Sequence, residues 1–207
     1  MKPVINPRYP ADRDFISTLP RSFEETGELL HQGRNAVKLF HTPSGDRVVK
    51  RYKKPHLIQR IVYTFFKKSK AERAYLYSHE LLARGIRTPE GIAYIERKRR
   101  GLVCDCYFVS TACHERSLYP VLVKTPDYDR ESADSLAAFL VELHTKGFLH
   151  GDLNLNNILY RKEPDGTFSF TVIDTNRSTF CNAPTPRQCL ENLKRGNTPP
   201  RLAAIHR

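Results

Sequence analysis

Between Phe148 and Tyr160 the chain reads Phe-Leu-His-Gly-Asp-Leu-Asn-Leu-Asn-Asn-Ile-Leu-Tyr, and this stretch restricts its fold more than any other. An apolar start leads into His150-Gly151-Asp152; Asn157 follows, and the apolar run Ile158-Leu159-Tyr160 comes directly after it. A second aspartate, Asp174, closes another apolar run, Phe168–Ile173. The segment between them, Lys162-Glu-Pro-Asp-Gly166, is made of turn residues. Residues 157–161 and 167–173 therefore read as a hairpin that brings Asn157 and Asp174 to one side. Upstream, Leu136, Phe139, Leu140 and Leu143 repeat at i, i+3, i+4 and i+7, which predicts a helix from about Asp129 to Gly147 as a rigid support for the loop.

An aspartate, an amide oxygen and a second aspartate at these spacings suit one chemistry. Phosphoryl transfer needs a carboxylate near the attacking hydroxyl and oxygen ligands that hold Mg²⁺ against nucleotide phosphates. Asp152 is the expected general base, and Asn157 and Asp174 are the expected metal ligands. His150 belongs to the same catalytic loop, with an architectural role through backbone hydrogen bonds. The bland reading of Asp152 is a carboxylate capping a turn, and a pseudokinase keeping the fold without turnover is the other alternative. The pattern H-x-D-x-x-x-x-N, followed by a strand ending in Asp, resembles the catalytic loop and metal-binding aspartate of protein-kinase-like enzymes.

The N-terminal half fits a nucleotide-binding lobe. Residues 1–26 read as an extended lead-in with a short strand or turn. Residues 29–40 and 47–52 read as the two strands of a hairpin around Pro43-Ser-Gly-Asp46. Gly33 would let the backbone approach phosphates, and Lys50 would pair with their oxygens. Ser69-Lys-Ala-Glu72 is a capping box that starts a helix ending at Gly85. Glu72 and Glu80 are both candidates to orient Lys50, although capping alone explains Glu72. Residues 91–97 and 102–110 read as two strands around the charged turn Lys98–Gly101, and residues 111–115 as a hinge between lobes. The fold class is thus α+β: a protein-kinase-like bilobal unit spanning 1–207. An antiparallel-sheet N-lobe with a helix (about 27–112) precedes a small, mostly helical C-lobe (about 113–207).

Charge narrows the partners. The formal net charge is +12, so the partner is expected to be anionic. Between Arg51 and Arg73, basic residues surround Leu57, Ile58, Ile61, Val62, Phe65 and Phe66 at helical spacing. The expected arrangement is an apolar stripe packed on the sheet with its charges in solvent. The alternative is a helix, residues 55–70, lying on an anionic membrane surface. Tyr52, Tyr63, Phe65 and Phe66 lack strand spacing, so no nucleic acid is expected. The five cysteines include no C-x-x-C pair, which favours a reducing compartment. No signal sequence or membrane-length apolar run is apparent, and a cytoplasmic location is expected.

Taken together, His150–Asn157, Val172-Ile-Asp-Thr-Asn-Arg177 and the segment from Ser69-Lys-Ala-Glu-Arg-Ala through Arg84-Gly-Ile-Arg-Thr-Pro89 to Ile92-Ala-Tyr-Ile-Glu96 resemble the bacterial lipopolysaccharide core (Kdo/heptose) kinases. The resemblance implies ATP-dependent phosphorylation of a sugar hydroxyl in the lipid A–core glycolipid, peripheral to the inner face of the cytoplasmic membrane. Two departures from protein kinases stand out. Asn154 occupies the place where Ser/Thr kinases typically carry lysine, and Asp174 is followed by Thr175-Asn176 rather than Phe-Gly. The alternatives are a small atypical Ser/Thr protein kinase and a non-catalytic basic nucleotide-binding scaffold.

Overall fold

The computed structural model describes residues 3–124 and 129–194. The chain divides into two units, Met1–Glu80 with Pro89–Cys113, and Leu81–Thr88 with His114–Arg207.

In the first unit the strands are β1 (Val4–Ile5), β2 (Glu28–Gln32), β3 (Ala36–Thr42), β4 (Gly45–Arg51), β5 (Gly91–Arg99) and β6 (Leu102–Thr111). They pair antiparallel in the order β1-β5-β6-β4-β3-β2. Gly45, at φ 108°, makes the tight β3–β4 turn that its composition predicts. The 29–40 segment is not one strand, as expected, but two. The chain reverses at Gly33-Arg34-Asn35, where the Gly33 N–H donates to the Asn35 carbonyl at 3.1 Å. A run of β-forming residues concealed a turn whose only glycine is Gly33.

The N-terminal lead-in is also corrected. Residues Arg13–Glu25 form a helix, α1, despite Pro20 inside it. A helix-interior proline costs about 3 kcal/mol. Ile16, Leu19 and Phe23 lie on one face at i, i+3 and i+7 and are almost fully buried against Phe40, Val49, Ile95 and Tyr107. Each such burial contributes roughly 1.5–3 kcal/mol, so the packing outweighs the proline. A buried fork fixes the start of the helix: Arg47 Nε and Nη2 donate to the two carboxylate oxygens of Asp12 at 2.8 and 3.1 Å.

Two further helices follow β4: α2 (Leu57–Phe65) and α3 (Lys70–Ala83). The Ser69 hydroxyl accepts the Glu72 N–H at 3.1 Å, the cap that the Ser-x-x-Glu spacing predicts. Ala71 and Ala74 of α3 pack with Tyr52, Val103 and Cys106. The sheet is therefore covered on both faces. Tyr107 and Val109 of β6 meet the α1 side, while Cys106 and Phe108 meet α3, so β6 is buried at successive positions rather than in strict alternation. Burial, with Glu96 nearby, pushes the Cys106 thiol up to about 12.

The α2 helix overturns the sheet-packed stripe. The side that faces the sheet carries Arg60, Tyr63 and Thr64: Tyr63 packs with Tyr52 and Val103, Arg60 Nε donates to the Val103 carbonyl at 3.0 Å, and the Thr64 hydroxyl accepts the Val103 N–H at 3.0 Å. Leu57, Ile58, Phe65 and Phe66 are instead 61%, 72%, 68% and 78% exposed. Strand β4 pairs with β6 only over residues 107–111, so the Val103 N–H and carbonyl bond to the Thr64 and Arg60 side chains, where apolar ones would leave them without partners. Among the described residues, no helix is long and apolar enough to cross a membrane.

The second unit contains β7 (Arg116–Ser117), α4 (Tyr119–Val123), α5 (Arg130–Thr145), β8 (Phe148–Leu149), β9 (Ile158–Lys162), β10 (Phe168–Val172), β11 (Thr179–Phe180) and α6 (Pro186–Lys194). The Asp129 carboxylate caps α5, accepting from the N–H groups of Glu131 and Ser132. Leu136, Leu140 and Leu143 of α5 pack with Phe148, Leu155, Ile158 and Val172. The β9–β10 hairpin forms where expected, with Ile158 opposite Val172. The expectation of a mostly helical lobe is corrected, because this unit is partly sheet. Strand pairs β10-β9-β7 and β11-β8 bind the backbone on both sides of the polar loop.

Removing either partner of the Asp12–Arg47 fork strands a buried charge. Asp12→Ala is expected to lower unfolding free energy by about 3–5 kcal/mol. Asp12→Leu combined with Arg47→Met should recover most of that loss, as read by urea denaturation.

Candidate active site

Gly147 and Gly151 show how closely the chain must pack for the loop to form. Gly147 ends α5 at φ 71°, and a Cβ there would lie 1.9 Å from the Cys181 carbonyl oxygen. A Cβ on Gly151 would lie 1.8 Å from the carbonyl oxygen of Arg177. Only glycine admits that approach. The short β8–β11 pairing, Leu149 opposite Thr179, carries the loop into this crowded position.

His150 is buried at the centre. Its Nδ1 accepts the Asp152 N–H at 3.1 Å, and Nε2 lies 3.0 Å from the Ile173 carbonyl. A backbone N–H can only donate and a carbonyl can only accept, so the ring is the neutral tautomer protonated at Nε2. Burial lowers the imidazole pKa in keeping with this, against the opposing pull of the Ile173 carbonyl and the charges of Asp174 and Asp152. The architectural role expected of His150 thus has a definite geometry. The ring ties the residue before Asp174 to the amide of Asp152.

Asp152 keeps its carboxylate accessible, with the side chain 44% exposed and Arg177 Nη1 3.8 Å from Oδ2. Its carbonyl accepts from the Asn154 N–H and the Asn157 Nδ2, both at 2.9 Å. The bond to Nδ2 turns the Asn157 Oδ1 away from the Asp152 carbonyl. Asn157 also accepts the Ile173 N–H through its own carbonyl at 3.0 Å, which fixes it to the strand leading into Asp174. Asp174 adopts φ 54° and ψ 50° and precedes a 3₁₀ turn, Thr175–Arg177. Left-handed backbone at a non-glycine residue costs about 1–2 kcal/mol, so the surrounding bonds hold the aspartate in a strained pose. His150, Asp152, Asn157 and Asp174 therefore belong to one connected network.

The remaining candidates lie in the first unit. Gly33 sits in the β2–β3 turn, and Lys50 lies on β4 opposite Val37 of β3 and Phe108 of β6. Lys50 Nζ stands 5.5 Å from the centre of the Tyr52 ring. Burial raises the Glu72 carboxyl pKa, Glu96 adds to the rise, and Lys68 and the Ser69 bond oppose it.

One contributor has no sequence signal. Asn192 of α6 is buried and donates through Nδ2 to the His150 carbonyl at 2.7 Å, while its Oδ1 meets His144 Nε2 of α5 at 3.1 Å. A lone asparagine in a short amphipathic helix gives no sequence clue to this role.

The first unit's antiparallel sheet and the second unit's hairpin-borne His-x-Asp loop define an α+β, protein-kinase-like class. A solved structure described as WaaP in complex with acyl carrier protein matches with a TM-score of 0.62, covering 94% of this chain and 79% of that one at 17% identity. That likeness is one of fold. The model of the lipopolysaccharide kinase (Kdo/WaaP) family matches residues 31–197, and the chain belongs to this family of ATP-dependent core kinases. No curated protein matches it.

Because the unfolded state binds a proton that buried His150 refuses, stability should be full above about pH 6.5 and decline as pH falls below it. His150→Leu is expected to lose at least about 2 kcal/mol at neutral pH by orphaning the Asp152 amide and the Ile173 carbonyl. It should also show a flatter pH dependence, measured by thermal unfolding across this range.

Proposed function

We propose that this chain transfers the γ-phosphoryl group of ATP to a sugar hydroxyl of the lipopolysaccharide inner core, Kdo or heptose, carried on a lipid A–core glycolipid. The carrying observation is the buried His150 bridge, which holds Asp152 and the Asp174 segment together while leaving the Asp152 carboxylate accessible. In this reading Asp152 orients the acceptor hydroxyl and takes its proton as the acceptor oxygen bonds to the γ-phosphorus and the bond to ADP breaks. Gly33 and Lys50 serve the nucleotide phosphates, with Glu72 or Glu80 orienting the lysine. The reaction would take place on the cytoplasmic side of the inner membrane.

The residues fit Mg²⁺. Asn157 Oδ1, turned away from the Asp152 carbonyl, and the Asp174 carboxylate are hard oxygen donors. Among the described residues no group of three or more His, Cys, Asp or Glu is arranged to hold a metal. A partial protein shell suits an ion that keeps waters and phosphate oxygens as its remaining ligands. When bound, the ion would neutralise charge on the phosphates. Asn154 argues against a protein acceptor: its Nδ2 is 3.4 Å from Asp152 Oδ1, in the place where Ser/Thr kinases typically carry a lysine.

Labelled phosphate transfer from ATP, offered to Kdo-containing lipid A precursor and to a generic protein in parallel, tests the reading. Label is expected on the glycolipid, and label confined to protein would overturn it. Asp152→Ala should lower turnover by about 10²–10⁴-fold with an unchanged unfolding midpoint. Asp174→Gly relieves the left-handed backbone; it should abolish turnover while matching wild-type stability or exceeding it by up to about 1 kcal/mol.

A further inference from the structure

The α2 helix is turned the wrong way round for a helix that only completes a core. Leu57, Ile58, Ile61 and Phe65 fall within an arc of about 100° at 3.6 residues per turn, and all are exposed, with Phe66 exposed just beyond them. Tyr63, behind the ridge, packs with Tyr52 and Val103, and Arg60 and Thr64, on the flank beside Leu57, bind the Val103 backbone of β6. This orientation leaves large apolar side chains in water on a single ridge. Such a cluster marks an interaction surface.

Charge identifies its occupant. No Asp or Glu occurs between Asp46 and Glu72. Exposed Lys53 and Lys54 precede the ridge, and exposed Lys67 and Lys68 follow it. A second basic group lies alongside. Arg60 Nη2 donates to the Arg99 carbonyl at 3.2 Å, which joins α2 to the exposed β5–β6 hairpin tip that carries Lys98, Arg99 and Arg100. An apolar ridge rimmed by cations complements a surface that is anionic outside and apolar beneath.

We propose that α2 and the two phenylalanines at its end dock this chain on an anionic phospholipid surface. The ridge Ile58, Phe65 and Phe66 enters the boundary between headgroups and acyl chains, and the flanking lysines meet lipid phosphates. This goes beyond the kinase reading and does not rest on it. The helix is far too short to span the bilayer, so it lies along the surface.

The test is co-sedimentation of the full chain with vesicles of phosphatidylcholine alone and of phosphatidylcholine containing about one quarter phosphatidylglycerol. Wild type should bind the anionic vesicles and release in about 0.5 M salt. Lys67→Gln with Lys68→Gln should weaken binding about 30-fold, at roughly fivefold per lysine. Phe65→Ser with Phe66→Ser should weaken it at least about tenfold through lost apolar burial. All four side chains are exposed, so unchanged unfolding midpoints confirm that the variants remain folded. The chain contains no tryptophan. Phe66→Trp therefore supplies a unique fluorophore whose emission should shift to the blue on anionic vesicles. Failure of wild type to bind, equal binding to both vesicle types, or binding insensitive to the phenylalanine pair would each overturn the proposal and leave the ridge to a protein partner.

Discussion

The candidate site depends on one imidazole ring with two hydrogen bonds of opposite direction. His150 accepts from the Asp152 amide and donates to the Ile173 carbonyl, so it joins segments more than twenty residues apart in sequence. Only a neutral ring can make both bonds, and burial keeps it neutral. A lysine could not accept, a carboxylate would repel the two nearby aspartates, and a leucine would leave both backbone groups unsatisfied. The rest of the loop is built around this bridge. Gly151 lets the backbone of Arg177 press against it, Asn157 completes the turn beneath Asp152, and Asn192 holds the carbonyl of the histidine itself.

This division of labour separates the rigid from the reactive. The backbone of the loop is tied down by buried contacts, whereas the Asp152 side chain remains nearly half exposed. Asp174 adds a second contrast, since its left-handed backbone is a local cost that the neighbouring bonds sustain. Such a pose would relax in isolation. It persists because the β9–β10 hairpin and the histidine bridge hold the preceding residue, Ile173, from both sides.

Much of this was legible in the sequence where local rules act alone. The capping serine at Ser69, the turn residues of the β9–β10 hairpin, the periodicity of α5 and the spacing from His150 to Asn157 all correspond to formed structure. Tertiary packing decided the rest. The α1 helix was hidden because Pro20 reads as a breaker, although Ile16, Leu19 and Phe23 already stood at helical spacing. The reversal at Gly33 was hidden inside a run of strand-forming residues. The orientation of α2 is not visible in the sequence, which does not show that the Val103 backbone lies beyond the β4 pairing and needs polar partners. Asn192 carried no signal at all, since its role exists only once α5, the loop and α6 have come together.

The α1 helix has a practical consequence for the boundaries of this fold. The family match begins at residue 31, after α1 has ended, yet Val49, Ile95, Tyr107 and Val109 are kept from water on that face of the sheet with the help of its three apolar side chains. A chain trimmed to the matched region would display a continuous apolar sheet face and would be prone to self-association before it could show any activity. The segment outside the family match is thus the one that makes this sheet usable in water.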